Sequence, residues 1–236
     1  MRGEKVALVV GAGNATGGSV AKRFAREGFI VCVTRRNREK LDPLVAEIQA
    51  DGGKVHAFGS DARREEQVEA LIEEIESRIG PIEVAVYNVG GNVRCSVLET
   101  TSRVYYKVWE MACLGGFLTG REVAKCMVKR EKGTIIFTGA TASLRGADGY
   151  AAFAGGKHAL RALAQSMARE LGPEGIHVAH VIIDGAIDMP FIREMLGEDR
   201  IEQMGPDGIL APDAIADTYW ALHQQKRSAW SFETDL

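Results

Sequence analysis

The stretch GYAAFAGGKHALRALAQSMARELG, residues 149 to 172, places a tyrosine and a lysine, Tyr150 and Lys157, on one helical segment. A phenol beside an ammonium group is a proton donor with an electrostatic helper, a pairing familiar at a spacing of four. Here the spacing is seven, and four residues before the lysine stands Phe153, which has no proton to give. At ~1.5 Å of rise per residue, Tyr150 and Lys157 lie on one face but about 10 Å apart along the axis. Side chains lean toward the helix N-terminus, so Tyr150 points away while Lys157 reaches back to the level of Phe153. Tyr150 is then a rim tyrosine at the helix entrance, or, if the helix begins near 150, a loop residue with freer direction.

Other groups stand nearby in sequence. Thr141 and Ser143, in GATASLRG, offer hydroxyls that either hold a substrate oxygen or cap the turn. Arg145 and Asp148 either charge the same pocket or are solvated loop residues. His158 points about 100° away from Lys157 around the helix. His177 and His180 fall on opposite faces of one strand segment and read as structural, as does His56 in another. No spacing of His, Cys and carboxylates suits a metal. Cys32, Cys95, Cys113 and Cys126 include no CxxC pair, and read as reduced, partly buried thiols.

Regular elements must position these groups. VALVV (6–10), IVCV (30–33), KVHAF (54–58), EVAVY (83–87), TIIFT (134–138) and HVAHVII (177–183) read as strands. Between them GGSVAKRFAREG, EKLDPLVAEIQADGG and EEQVEALIEEIESRIG carry apolar residues at helical spacing, and glycines at 28, 52 and 80 suit helix ends. Strands this apolar are buried on both faces, and regular alternation with helices means right-handed crossovers between parallel strands. The expectation is a single α/β domain over 1–236, a doubly wound parallel sheet of Rossmann type. After Pro190 the pattern fails: a mobile helical insertion about 190–208 precedes a last helix near 212–225.

The bulk numbers fit that frame. The chain has 236 residues, 46% hydrophobic and 26% charged, with a net charge of -3. This excludes a global basic field for nucleic acid or an anionic membrane surface. The polar start Met1 to Lys5 precedes only a short apolar run, and no stretch approaches the ~20 residues that span a bilayer. A cytoplasmic protein without membrane or nucleic-acid partners is expected.

The first strand runs into GAGNATGGSVAKRF. A glycine-rich strand-to-helix turn lets backbone approach a pyrophosphate seated on a helix N-terminus. Gly11, Gly13 and Gly17 fit that job, Asn14 lies within the turn, and Gly18 adds slack. At the end of the second strand, where an acid would accept ribose hydroxyls, stand Thr34, Arg35 and Arg36. Arginine favours a 2′-phosphate, so NADP is expected ahead of NAD, the alternative being a solvated basic loop. Asp61, beside Ala62 in GSDARR, is placed to accept from the adenine amine. Asn88 and Gly90 in YNVGGN lie where the adenosine ribose and the nicotinamide side would pass.

These residues resemble the short-chain dehydrogenase/reductase family over almost the whole chain. The glycine turn at 11 to 17, Asp61, YNVGG, TIIFTGATAS and the segment opening on Lys157 carry the resemblance, and DGAIDMP (184–190) stands for the nicotinamide loop, bringing in Gly185 and Ile187. It implies hydride transfer between a nicotinamide and a carbonyl or alcohol. A tyrosine is the acid/base, a lysine lowers its pKa and holds the ribose, a serine positions the substrate oxygen, and an asparagine supports a relay water. Only Lys157 matches. Phe153, Ala140 and Ala112 stand at the tyrosine, serine and asparagine positions, and Asp184 and Met189 at the loop's proline and threonine. The two long helices, roughly 102–130 and 150–171, resemble those that assemble the family's homodimers and homotetramers.

Three functions follow as expectations. The first is an NADP-dependent oxidoreductase acting on a small-molecule substrate. Its acid/base would be non-standard, drawn from Lys157, Thr141 and Tyr150, or from a water held by Lys157, Thr141 or Asn92. The second is an NADP(H)-binding sensor or structural protein with little or no turnover. The third is a lyase or epimerase step using Lys157.

Overall fold

The structure, a computed structural model, describes residues 5–236. Residues 1–4, which hold most of the polar start discussed above, lie outside the described residues.

Seven strands form one wholly parallel sheet in the order β3-β2-β1-β4-β5-β6-β7. The chain runs β1 (Val6–Val10), α1 (Thr16–Arg26), β2 (Ile30–Arg35), α2 (Asp42–Ala50), β3 (Lys54–Gly59), α3 (Glu65–Arg78) and β4 (Ile82–Tyr87). It continues through α4 (Ser102–Trp109), α5 (Gly115–Val128), β5 (Gly133–Thr138), α6 (Ala151–Leu171), β6 (Ile176–Ile182), α7 (Pro190–Leu196), α8 (Glu198–Gln203), α9 (Pro212–Gln224) and β7 (Glu233–Asp235). The order reverses direction between β1 and β4, the switch point where open α/β sheets bind ligands beyond their strand C-terminal ends.

The central strands are apolar on both faces because both are covered. On one face Leu8, Ile135 and Val178 pack under α3, α5 and α6; on the other Val9, Ile136 and Val181 pack under α1, α2 and α9. β3 departs from the expectation of burial on both faces: it is the sheet edge, and its residues alternate between exposed and half-buried. β2 runs two residues further than expected, through Thr34 and Arg35. β7 was not anticipated, since its three residues ETD have no strand pattern; pairing with β6 makes them one.

Gly28 and Gly52 close α1 and α2 with φ of +84° and +79°, a left-handed backbone that glycine adopts without a Cβ penalty. The expected helix over 102–130 is interrupted. Residues Glu110–Leu114 between α4 and α5 form a wider π turn, in which the Gly115 amide donates to the Glu110 carbonyl five residues back. That leaves the Met111 carbonyl free for the Tyr87 hydroxyl, which donates to it at 2.6 Å.

Candidate active site

The glycine turn between β1 and α1 is built by close backbone approach. Gly11 has φ +87°, and its amide donates to the Thr34 carbonyl at 3.0 Å. A Cβ on Gly17 would meet the Gly11 oxygen at 2.5 Å and the Asn88 amide nitrogen at 2.9 Å. Asn88 ties the turn to β4 by donating to the Gly11 carbonyl at 3.2 Å. Gly18 does not add slack: a Cβ there would run into the Gly13 carbonyl oxygen, so it is a close-packing glycine. Gly13 and Gly90 instead face open space.

Two adjoining hollows lie along the C-terminal ends of the strands. The larger, about 770 Å³, runs from Arg35 past Gly11, Gly13, Asn14 and Gly17 to Lys157, and on to Thr141, Tyr150, Gly185 and Ile187. The smaller, about 230 Å³, shares Gly11, Asn88 and Gly90 with it and is lined by Arg36, Asp61 and Ala62. The cofactor residues expected from the sequence, together with Lys157, Thr141 and Tyr150, thus line one hollow or the other.

The residues fit a dinucleotide. The Thr16 and Ser60 hydroxyl oxygens are buried without a hydrogen-bond partner, and each lines one of the hollows. The first turn of α1 carries no acidic residue, so its free amides and positive dipole end face the larger hollow unopposed. Arg35 and Arg36 make no ion pair among the described residues. Asp61 is braced from below by Arg63, whose Nε and Nη2 donate to its two oxygens at 2.9 and 2.5 Å. Those bonds hold its carboxyl below the usual carboxylate range despite partial burial.

At the other end, Lys157 on α6 is 3% exposed. Its Nζ donates to the Thr138 carbonyl at 2.7 Å and lies 3.5 Å from that of Val89. Burial lowers its pKa to about 8. The ammonium stands 5.9 Å from the Phe153 ring centroid, so it does reach back to that level. Tyr150 is the N-cap of α6 rather than part of it; its ring packs against the Val108, Ala142 and Phe153 cluster, and no hydrogen bond joins it to Lys157. Ala140 and Phe153 line the cleft, while Ala112 is fully buried in the π turn, where it packs against Gly156.

Thr141 lines the cleft and its hydroxyl donates to Asp184, a short bond the sequence did not suggest. For Ser143 the turn-capping reading holds: it is fully buried and accepts from the Ala140 amide at 3.2 Å, and it does not line the cleft. Of the two loop charges, Arg145 lines the cleft and Asp148 pairs with Arg94 outside it. His158 bonds the Ala154 carbonyl of its own helix. His177 and His180 are buried on opposite sheet faces, the first stacked on Trp230 and the second 3.0 Å from Glu233. Among the described residues no group of three or more His, Cys, Asp and Glu could hold a metal ion. No helix among them is long and apolar enough to cross a membrane.

A wholly parallel sheet with a glycine turn, two unpaired arginines and a buried lysine along one edge defines a dinucleotide-binding α/β protein. Comparison narrows this, because the family profile for short chain dehydrogenase matches residues 5–198. The chain belongs to the short-chain dehydrogenase family. It is 50% identical to a short-chain dehydrogenase from Rhodopseudomonas palustris, whose crystal structure superposes with a TM-score of 0.84 over 99% of this chain and 97% of that one. A variant of actinorhodin polyketide ketoreductase solved with NADPH is 26% identical, with a TM-score of 0.90 over 99% and 95%. The 2-dehydro-3-deoxy-D-gluconate 5-dehydrogenase of Formosa agariphila is 29% identical over 175 residues, 74% of this chain and 66% of that protein. The match therefore spans just under two thirds of that relative.

Proposed function

We propose that the chain is an NADP(H)-dependent oxidoreductase. It transfers a hydride between the nicotinamide and the carbonyl or alcohol carbon of a small molecule, with a proton-handling group other than the family's tyrosine. The carrying observation is the continuous cleft from the unpaired Arg35 to the buried Lys157, with orphaned hydroxyls of Thr16 and Ser60 along it. When bound, the dinucleotide supplies or accepts the hydride. Arg35 and Arg36 would hold a 2′-phosphate, the glycine turn and Thr16 the pyrophosphate, and Asp61 and Ser60 the adenosine end. NADPH, which the similar polyketide ketoreductase holds, is the cofactor this arrangement favours over NADH.

The chain's own groups divide the remaining work. Lys157 stays largely protonated at neutral pH even with its pKa lowered to about 8, and supplies a buried cation to the cleft. Thr141, whose proton goes to Asp184, presents its oxygen lone pairs to the cleft and can accept from a substrate hydroxyl. Tyr150 brings a phenol to the rim, and the Phe153 ring keeps water from the Lys157 side. Helices α7 and α8 bury only Ile201 between them, which suits a cover over the substrate end. A second copy of this chain is the proposed partner, across the outer faces of α5 and α6 where Phe117 is 39% exposed; the mass in solution by light scattering decides it.

One observation favours a second reading, a nucleotide-binding protein with little turnover: the aromatic ring of Phe153 covers the place nearest Lys157 where a proton donor would stand. Titration of NADPH and NADH by fluorescence quenching, then turnover on a carbonyl panel, separates the two. Native turnover is expected, with Phe153→Tyr/Ala140→Ser raising it roughly 100-fold, the usual worth of a positioned acid/base. Turnover only in the double variant supports the second reading. Failure to bind either nucleotide sinks both.

A further inference from the structure

The titratable cations lining the larger hollow are Arg35, Lys157 and Arg145, and no carboxylate lines it. Two of these are accounted for, Arg35 at the phosphate end and Lys157 by the carbonyls that hold it. Arg145 is not. It follows the short turn Thr141–Ser143, on the stretch that leads to Tyr150, and so stands at the substrate end of the cleft. Only its backbone amide is committed, to the Thr141 carbonyl at 3.2 Å. The nearest carboxylate oxygen, on Asp184, is 3.7 Å from its Nη2, beyond hydrogen-bond reach, and the other Asp184 oxygen already receives the Thr141 hydroxyl.

We propose that Arg145 is a specificity-determining residue that reads a carboxylate on the substrate, making the preferred substrate an oxo acid or hydroxy acid with an apolar body. A guanidinium offers a planar fork that matches a carboxylate with two parallel hydrogen bonds. Ala140, Ala142, Phe153 and Met189 give the same hollow apolar lining beside the hydroxyls of Thr141 and Tyr150, and this suits the body of such a molecule. An exposed ion pair with poor geometry holds its partners by ~1 kcal/mol or less, so Asp184 yields Arg145 to an incoming anion readily. The Asp184 charge beside Arg145 repels a dianion more than a monoanion, which favours a carboxylate over a phosphate. This inference rests on the cleft being the hydride-transfer site proposed above, and names its substrate class.

The test reads binding as well as rate. Calorimetry of the full chain with NADPH compares benzoate with benzamide, which differ in charge but hardly in shape. Benzoate is expected to bind at least about tenfold more tightly, as a bidentate charge-assisted pair provides. Arg145→Gln abolishes that preference, leaving benzamide and NADPH affinities unchanged, and Arg145→Lys, which keeps the charge without the fork, restores part of it. Turnover of benzoylformate against its methyl ester follows the same order in kcat/KM. Equal binding of benzoate and benzamide, equal loss of both in Arg145→Gln, or preference for the ester or a phosphorylated ligand overturns the inference with the nucleotide site intact. Failure of NADPH to bind, with the benzoate preference present, overturns the reading of the site instead.

Discussion

Gly13 and Gly18 look alike in the sequence, two glycines of one turn, and the structure gives them opposite jobs. Gly13 faces open space with nothing within 4 Å of a Cβ, so its hydrogen atom keeps the cleft wall low for a ligand. Gly18 faces the Gly13 carbonyl, and backbone meeting backbone cannot yield cheaply. Gly13→Ala is expected to leave thermal stability within ~0.5 kcal/mol while weakening NADPH at least about tenfold, because it fills the open space that the proposed function gives to the pyrophosphate. Gly18→Ala is expected to cost about 1–3 kcal/mol in denaturant unfolding, as overpacking does. Equal stability losses in the two variants would show that the turn relaxes as a unit.

At the scale of elements, the long helix before β5 carries a π turn that places the floor of the site. Tyr87 ends β4 fully buried, burial pushes its hydroxyl's pKa well up, and that hydroxyl fills the carbonyl left free at Met111. Gly115 makes room, since a Cβ there would strike the Tyr87 hydroxyl. The widened turn carries Ala112 against Gly156, the neighbour of Lys157. Tyr87→Phe leaves the Met111 carbonyl buried and unpaired, at an expected cost of about 1–3 kcal/mol in denaturant unfolding. If Tyr87→Phe is neutral, the π turn is held by packing alone. Apolar periodicity read 102–130 as one helix because a π turn adds a residue without changing composition; only the hydroxyl-to-carbonyl contact between distant segments reveals it.

For the whole molecule, two histidines, His177 and His180, are buried in the sheet and a third, His223, is half-buried beside it, and desolvation lowers the pKa of each. His223 falls to about 4, and His177 and His180 move the same way. Groups whose folded pKa is depressed contribute stability that is full above the unfolded value and lost as pH falls toward the folded one. The unfolded chain takes up these protons first, below about pH 6.5, and the loss for His223 levels off only as pH falls through about 4. That shift corresponds to about 3 kcal/mol for His223 as an upper figure, reduced by the solvent that reaches a half-buried ring. Stability measured by denaturant between pH 7 and 4.5 is expected to fall, above the range where paired carboxylates such as Glu233 contribute. His223→Phe is expected to flatten the slope, and an unchanged slope would move the origin elsewhere.

The sequence by itself determined the parallel α/β sheet, because strands buried on both faces must be continuously apolar and their helical crossovers must be amphipathic. It also located the dinucleotide edge and Lys157, since glycines, arginines and a lysine helix are local chemistry written in consecutive residues. It could not separate Gly13 from Gly18, Thr141 from Ser143, or Arg145 from Asp148. Each of those pairs is one residue type or one loop in the sequence, and what divides them is which neighbour the fold brings near. Tertiary structure likewise made β7 a strand, by giving it β6 to pair with, and set Asp184 against Thr141 across 43 residues of chain. Contacts at that separation depend on how the sheet ends converge, which no local pattern encodes.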